Sequence, residues 1–195
     1  MSTLTRATAT KLLADRLTDE VVVSNLGQAT LDLQRLADRP LNCYVFGSMG
    51  QTSSIALGIA LARPDVRVLC LDGDGSLLMN LGSLCTIATT APANLALLIW
   101  DNEVHQTTGG QPTATARGSS FAAIARGAGV ANVLEVRTEE EFGRACDRVL
   151  SDAGPFVVNV KVAKGRSEGA LDRDVIGYTR RFMSAIAALP RTAAR

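Results

Sequence analysis

Three runs in this chain are apolar along nearly their whole length rather than on alternate residues: Val66 to Leu71, Leu95 to Trp100 and Phe156 to Val162. A strand with one wet face alternates. A strand that is apolar throughout is buried on both faces, so helices must pack above and below its sheet. The intervening sequence supplies them. Helical patterns run over Thr5 to Leu17, Gln28 to Asp38, Ser53 to Ala62, Leu78 to Thr89, Phe121 to Ala128, Thr138 to Leu150 and Arg173 to Leu189. Shorter extended runs lie at Glu20 to Ser24, Cys43 to Phe46 and Val133 to Val136. The expectation is an α/β fold: a single three-layer domain over residues 1–195 with a mainly parallel sheet. No repeat or linker divides the chain, and 163–172 reads as an exposed connection to the last helix.

In sheets of this kind ligands sit outside the carboxyl ends of the strands. Three segments leave strands directly and are rich in glycine or polar residues: Gly47 to Gly50, Gly73 to Ser76, and Asp101 to Thr113. They should meet at one edge. Gly73 and Gly75 let the backbone turn sharply beside Asp74 and approach a ligand closely. The helix that follows begins with free N–H groups suited to a phosphate oxygen, and Ser76 adds a hydroxyl. A carboxylate and a phosphate repel each other unless a cation lies between them, and Mg²⁺ prefers oxygen ligands. Asp74 and Asn102, twenty-eight residues later at the end of the next strand, offer one carboxylate and one amide oxygen. The backbone carbonyl of Val104 is placed to add a third. Singly, Gly-Asp-Gly is a common turn and Asn a common cap; the pair after two neighbouring apolar strands is the stronger signal.

These residues carry a resemblance. Gly73-Asp74-Gly75-Ser76 through Asp101-Asn102 is similar to the diphosphate-binding motif of thiamine diphosphate enzymes, which begins Gly-Asp-Gly and ends in Asn-Asn about thirty residues later. Asp101 departs from that pattern; Asn102 keeps the position of the metal ligand. The resemblance implies the thiamine diphosphate-binding fold, with thiamine diphosphate and Mg²⁺ as cofactors and Asp74, Asn102 and the Val104 carbonyl as metal ligands. It further implies that Gly47, Ser48 and Met49 meet the cofactor's aminopyrimidine. There the Gly47 carbonyl would accept a hydrogen bond and the Met49 side chain would lie beneath the cofactor. From the residues alone, Met49 also reads as core packing. The run Asn102 to Thr113, with Gly109-Gly110-Gln111-Pro112-Thr113, resembles sulfopyruvate decarboxylase β subunits and phosphonopyruvate decarboxylases. That implies a small 2-oxo acid substrate bearing a sulfonate or phosphonate, which loses CO₂ to leave an aldehyde.

The family's chemistry needs a second domain, which supplies a glutamate to the aminopyrimidine. Glu20, Glu103 and Glu139 to Glu141 fit no such motif and read as solvated faces or helix-dipole partners. The resemblance therefore implies a β subunit that works with an α subunit carrying that glutamate. His105, the only histidine, reads equally as a loop residue or as a catalytic group. In the second role it would protonate the carbon that has lost CO₂ or bind an anionic substrate. Thr107, Thr108 and the two glycines after them suit a mobile flap. Carboligation to an acyloin or acetolactate-type product, and a non-catalytic cofactor-binding partner, remain as alternatives.

Composition excludes other classes. Twenty Lys and Arg against nineteen Asp and Glu give a net charge of +1, with no basic run, so nucleic acid is not an expected partner. No stretch is apolar for the length of a membrane span, and no apolar signal core opens the chain. The four cysteines, Cys43, Cys70, Cys85 and Cys146, form no CxxC pair. They read as free thiols in a reducing cytoplasm rather than as a disulfide framework, zinc site or iron–sulfur relay.

Overall fold

The computed structural model describes residues 4–191, so the two ends of the expected domain lie outside the described residues. Six strands form one parallel sheet: β1 (Val21–Ser24), β2 (Asn42–Tyr44), β3 (Val68–Gly73), β4 (Leu95–Asp101), β7 (Asn132–Val136) and β8 (Phe156–Lys161). Their order is β2-β1-β3-β4-β8-β7. Two short strands, β5 (Val104–His105) and β6 (Gln111–Pro112), pair antiparallel in a separate hairpin.

The long apolar runs are explained by two cores, one on each face. Val22, Leu69, Leu71, Leu98, Trp100, Val158 and Val160 point to one side, and Val23, Val68, Cys70, Leu97, Ile99 and Val157 to the other. Helices α1 (Arg6–Ala14), α2 (Gln28–Ala37) and α7 (Glu139–Ser151) cover the first face. Helices α3 (Thr52–Ala62), α5 (Gly82–Thr90) and α6 (Phe121–Gly127) cover the second. Caps set several of their starts. Thr5 accepts from the Thr8 N–H, and Thr138 and Glu141 form a reciprocal capping box. The last helix, α8 (Val175–Ala188), lies against the edge strand β2. Tyr178 meets Tyr44 edge-on at 4.9 Å between ring centroids, and Arg181 pairs with Asp38 at 2.7 Å. That edge of the sheet is thereby covered.

Three local features differ from expectation. The helix expected over Leu78 to Thr89 opens as a 3₁₀ turn at Leu78–Asn80 and is α-helical only in α5, and a short unexpected α4 (Asp74–Leu77) precedes it. Asn80 turns back to donate to the Gly50 carbonyl at 2.9 Å, which pulls the chain off the α-helical path. The polar stretch after β4 is ordered as the β5–β6 hairpin and a 3₁₀ turn at Ala114–Arg117. Glu20 is not on a solvated face. It is buried, and its carboxylate accepts from the Thr18 N–H at 2.6 Å.

Order reverses between β1 and β3, whose crossovers leave toward opposite edges. That is the switch point at which ligands bind such sheets. Among the described residues, no helix is long and apolar enough to cross a membrane. All four cysteines are free: Cys70 and Cys146 buried, Cys43 half-buried, Cys85 exposed.

Candidate functional site

The carboxyl ends of β1, β3 and β4 open into one cleft with about 650 Å³ of empty space. Asn25, Met49, Gly73, Asp74, Gly75, Ser76, Asn102, Val104 and His105 all line it. Strand pairing explains the meeting. Gly73 lies opposite Trp100 across β3 and β4, so Asp74 and Asn102 leave adjacent strands at the same level.

Asp74 is buried. Its Oδ2 accepts from Thr113 Oγ1 at 2.6 Å, and Thr115 Oγ1 stands 3.4 Å from the same oxygen. Burial raises its pKa; the Thr113 bond opposes that rise and the Asp101 charge adds to it. Among the described residues no cationic side chain pairs with Asp74, so this buried carboxylate lacks a counter-charge. Asn102 is held from both ends. Its Oδ1 accepts from the Val104 N–H at 3.2 Å, and its Nδ2 donates to Gln106 Oε1 at 3.4 Å. Glu103, with φ 64, turns the chain so that this loop can form. The Val104 carbonyl accepts from the Gln106 N–H at 2.9 Å and keeps a second lone pair.

The donor set suits a hard cation: one carboxylate, one amide and one backbone carbonyl on a common cleft. Among the described residues no three His, Cys, Asp or Glu side chains gather as a metal cage. A cation here would thus need further oxygens from its ligand and from water. Gly73 caps α4 without any side-chain cap bond, leaving first-turn N–H groups to face an anion.

Ser76 lines the cleft and also has a structural bond. Its Oγ accepts from the Gly50 N–H at 2.9 Å, tying the turn after β3 to the one after β2. Beside it, burial pushes the Asp72 carboxyl up to about 6, against hydrogen bonds from Ser76 and the Gly73 N–H. His105 lies over Gly75 so closely that a Cβ there would stand 2.4 Å from Nδ1. The same hairpin reaches across the cleft to Gly27, where a Cβ would stand 2.9 Å from Thr107 Oγ1. Gly47 and Ser48 are exposed and do not line the cleft, whereas Met49 does.

Residues 25–160 match the family described as thiamine pyrophosphate enzyme, C-terminal TPP binding domain. The chain belongs to this family of thiamine pyrophosphate enzymes. The sulfopyruvate decarboxylase subunit beta of Methanococcus maripaludis is 37% identical to it, over 94% of this chain and 98% of that one. A phosphonopyruvate decarboxylase of Streptomyces viridochromogenes is 37% identical over 82% of this chain and 40% of its own. In three dimensions the chain superposes on a Mycobacterium smegmatis crystal structure described as a thiamin diphosphate-dependent enzyme. The TM-score is 0.71 and the identity 22%, over 84% of this chain and 33% of that one. That likeness shows a shared thiamine diphosphate-enzyme fold.

Several residues of this thiamine pyrophosphate enzyme were not visible as site residues in its sequence. Asp101, the departure from Asn-Asn, is buried and engaged on both oxygens. Thr115 donates to Oδ1 at 2.8 Å, and Lys161 pairs with Oδ2 at 2.7 Å. Burial alone would lower the Lys161 pKa, but its bonds to Asp101 and Glu103 outweigh that and raise it. Thr113 gave no signal beyond the Gly-Gly-Gln-Pro-Thr run, and Thr115, two residues past it, gave none. Asn25 presents its Nδ2 toward Gly73, because its Oδ1 accepts from the Leu26 N–H at 2.8 Å and from Thr52 at 3.2 Å. An asparagine directly after a buried strand was its only mark.

Proposed function

We propose that this chain is the β subunit of a hetero-oligomeric, Mg²⁺-dependent thiamine diphosphate decarboxylase. Its substrate would be a 2-oxo acid of the sulfonated or phosphonated pyruvate type. The observation that carries the reading is the placement of Asp74 and Asn102 on adjacent strand ends of one cleft. The buried carboxylate there has no cationic partner among the described residues. The names of the relatives support the substrate class and the reaction.

Asp74, Asn102 and the Val104 carbonyl would hold Mg²⁺. Gly73 and Gly75 would let the backbone approach the diphosphate, Ser76 ties their turn to the one after β2, and Met49 on the cleft wall would contact the cofactor. Bound thiamine diphosphate supplies the electron sink that lets a 2-oxo acid release CO₂. His105, poised over Gly75, would return a proton to the carbon that has lost CO₂, so that one proton is taken up per aldehyde formed.

Gly47 and Ser48 stand exposed next to Met49, and an α subunit would bring its glutamate to the aminopyrimidine from this side. The shared region is two fifths of the Streptomyces chain and nearly all of the methanogen β subunit. What the longer chain carries in its remainder must reach a β subunit from outside. A reducing cytoplasm suits the four free thiols.

The test combines this chain with its α subunit, thiamine diphosphate and Mg²⁺. CO₂ release should be fastest from sulfopyruvate or phosphonopyruvate in a panel of 2-oxo acids. No release from any of them would overturn the decarboxylase reading. An acyloin formed when a second aldehyde is added would establish carboligation instead.

A further inference from the structure

We propose that Thr113 is a positioning residue that holds Asp74 as a one-oxygen ligand and so biases the cation site toward Mg²⁺ over Ca²⁺. This rests on the cation-site reading above and goes beyond it. Thr113 Oγ1 donates to Asp74 Oδ2 at 2.6 Å, and Thr115 Oγ1 stands 3.4 Å from the same oxygen. The Thr113 hydroxyl thus ties Oδ2 to the protein, and Oδ1 is the oxygen left to address the cleft.

Thr113 is itself buried and fixed at three points. Its N–H donates to the Glu103 carbonyl at 3.0 Å, its hydroxyl meets Thr115 at 2.9 Å, and Thr115 donates to Asp101 at 2.8 Å. Asp101 is pinned in turn by Lys161 at 2.7 Å and Asn159 at 3.3 Å. With both of its oxygens engaged, Asp101 does not swing in as a second carboxylate. Every side-chain donor at the site then offers one oxygen.

That restriction discriminates between ions. Mg²⁺ is small and demands near-octahedral geometry, whereas Ca²⁺ takes six to eight oxygens and accepts two from one carboxylate. A carboxylate free to rotate would serve Ca²⁺ with both oxygens; one tied through Oδ2 does not.

The experiment uses the full chain co-expressed with its α subunit and stripped with EDTA. Thiamin diphosphate retention is measured by equilibrium dialysis against graded Mg²⁺ or Ca²⁺. Thr113→Val removes the hydroxyl at nearly constant shape. It should shift the ratio of half-saturating concentrations toward Ca²⁺ by about tenfold, and Thr113→Ser should restore the wild-type ratio. A merely structural role would weaken both ions together and leave the ratio alone. If Thr113→Val does not fold, Thr113→Ala, which also removes the hydroxyl, is expected to shift the ratio in the same direction by about tenfold. Wild-type retention that depends on metal, with an unchanged ratio in the folded variants, overturns this inference alone. Wild type that retains no cofactor with either ion overturns the cofactor reading as well.

Discussion

Two turns leave the same edge of the sheet and end in opposite conditions. The turn after β3 is buried and bonded from every side: Asp74 to Thr113, Ser76 to Gly50, and Gly75 under the His105 ring. The turn after β2 is open. Gly47 has nothing within 4 Å of where a Cβ would stand, and Ser48 is exposed at φ 58. One half of the edge is finished within this chain, and the other presents backbone to whatever covers it. A buried, tightly bonded turn beside an exposed one is the arrangement expected if the proposed cofactor site is completed by a second chain.

The contrast can be broken most severely at Asp74. Asp74→Ala should weaken metal-dependent thiamin diphosphate retention by more than about 100-fold, since even outer-shell partners of a metal site cost 10- to 100-fold. Dialysis measures it, and retention equal to wild type would remove Asp74 from the metal site.

A matched pair of alanine substitutions probes the two turns directly. Gly75→Ala places a Cβ within 2.4 Å of the His105 ring and must displace that ring. Its decarboxylase turnover should fall by about 100-fold, the usual cost of misplacing a reacting group by an ångström. Gly47→Ala should leave the thermal stability of the isolated chain unchanged, with its loss confined to assembly and turnover of the complex. Equal melting losses in both variants would erase the contrast.

A third test concerns Asp72. Its folded pKa of about 6 lies above the ordinary 3.8, so the folded state holds the proton more tightly than the unfolded state. Stability from this group is complete below about 4 and is lost as pH rises through about 6. Asp72→Asn should flatten that loss and, at pH 7.5 in EDTA, stabilise the chain by up to about 3 kcal/mol. Melting curves at pH 4.5 and 7.5 decide it; an equal change at both would refute the assignment. The smallest effect is expected at Ser76→Ala. Removing the acceptor for the buried Gly50 N–H should cost about 1–3 kcal/mol in denaturant midpoints.

The fold was legible because burial on both faces leaves an unalternating trace, as in Leu95 to Trp100. Asp74 and Asn102 were legible because each follows such a run directly. What escaped depends on chain returning from a distance. Thr113 reaches Asp74 across 39 residues only because the β5–β6 hairpin folds back, and that hairpin has two-residue strands too short to register as a pattern. Glu20 gave no sign of burial, since its partner is a backbone N–H two residues away. The bond from the Gly50 N–H to Ser76 escaped too, since the sequence shows a hydroxyl at a helix start but not the distant turn it also holds.

Trp100, the chain's only tryptophan, stands on the cleft wall with its ring against Phe142 and its indole N–H lacking a hydrogen-bond partner. The protein therefore contains its own optical gauge. Emission from that one indole should be blue-shifted in the native chain, and any molecule entering the cleft should change its intensity. Filling of the site can then be watched in real time without a label.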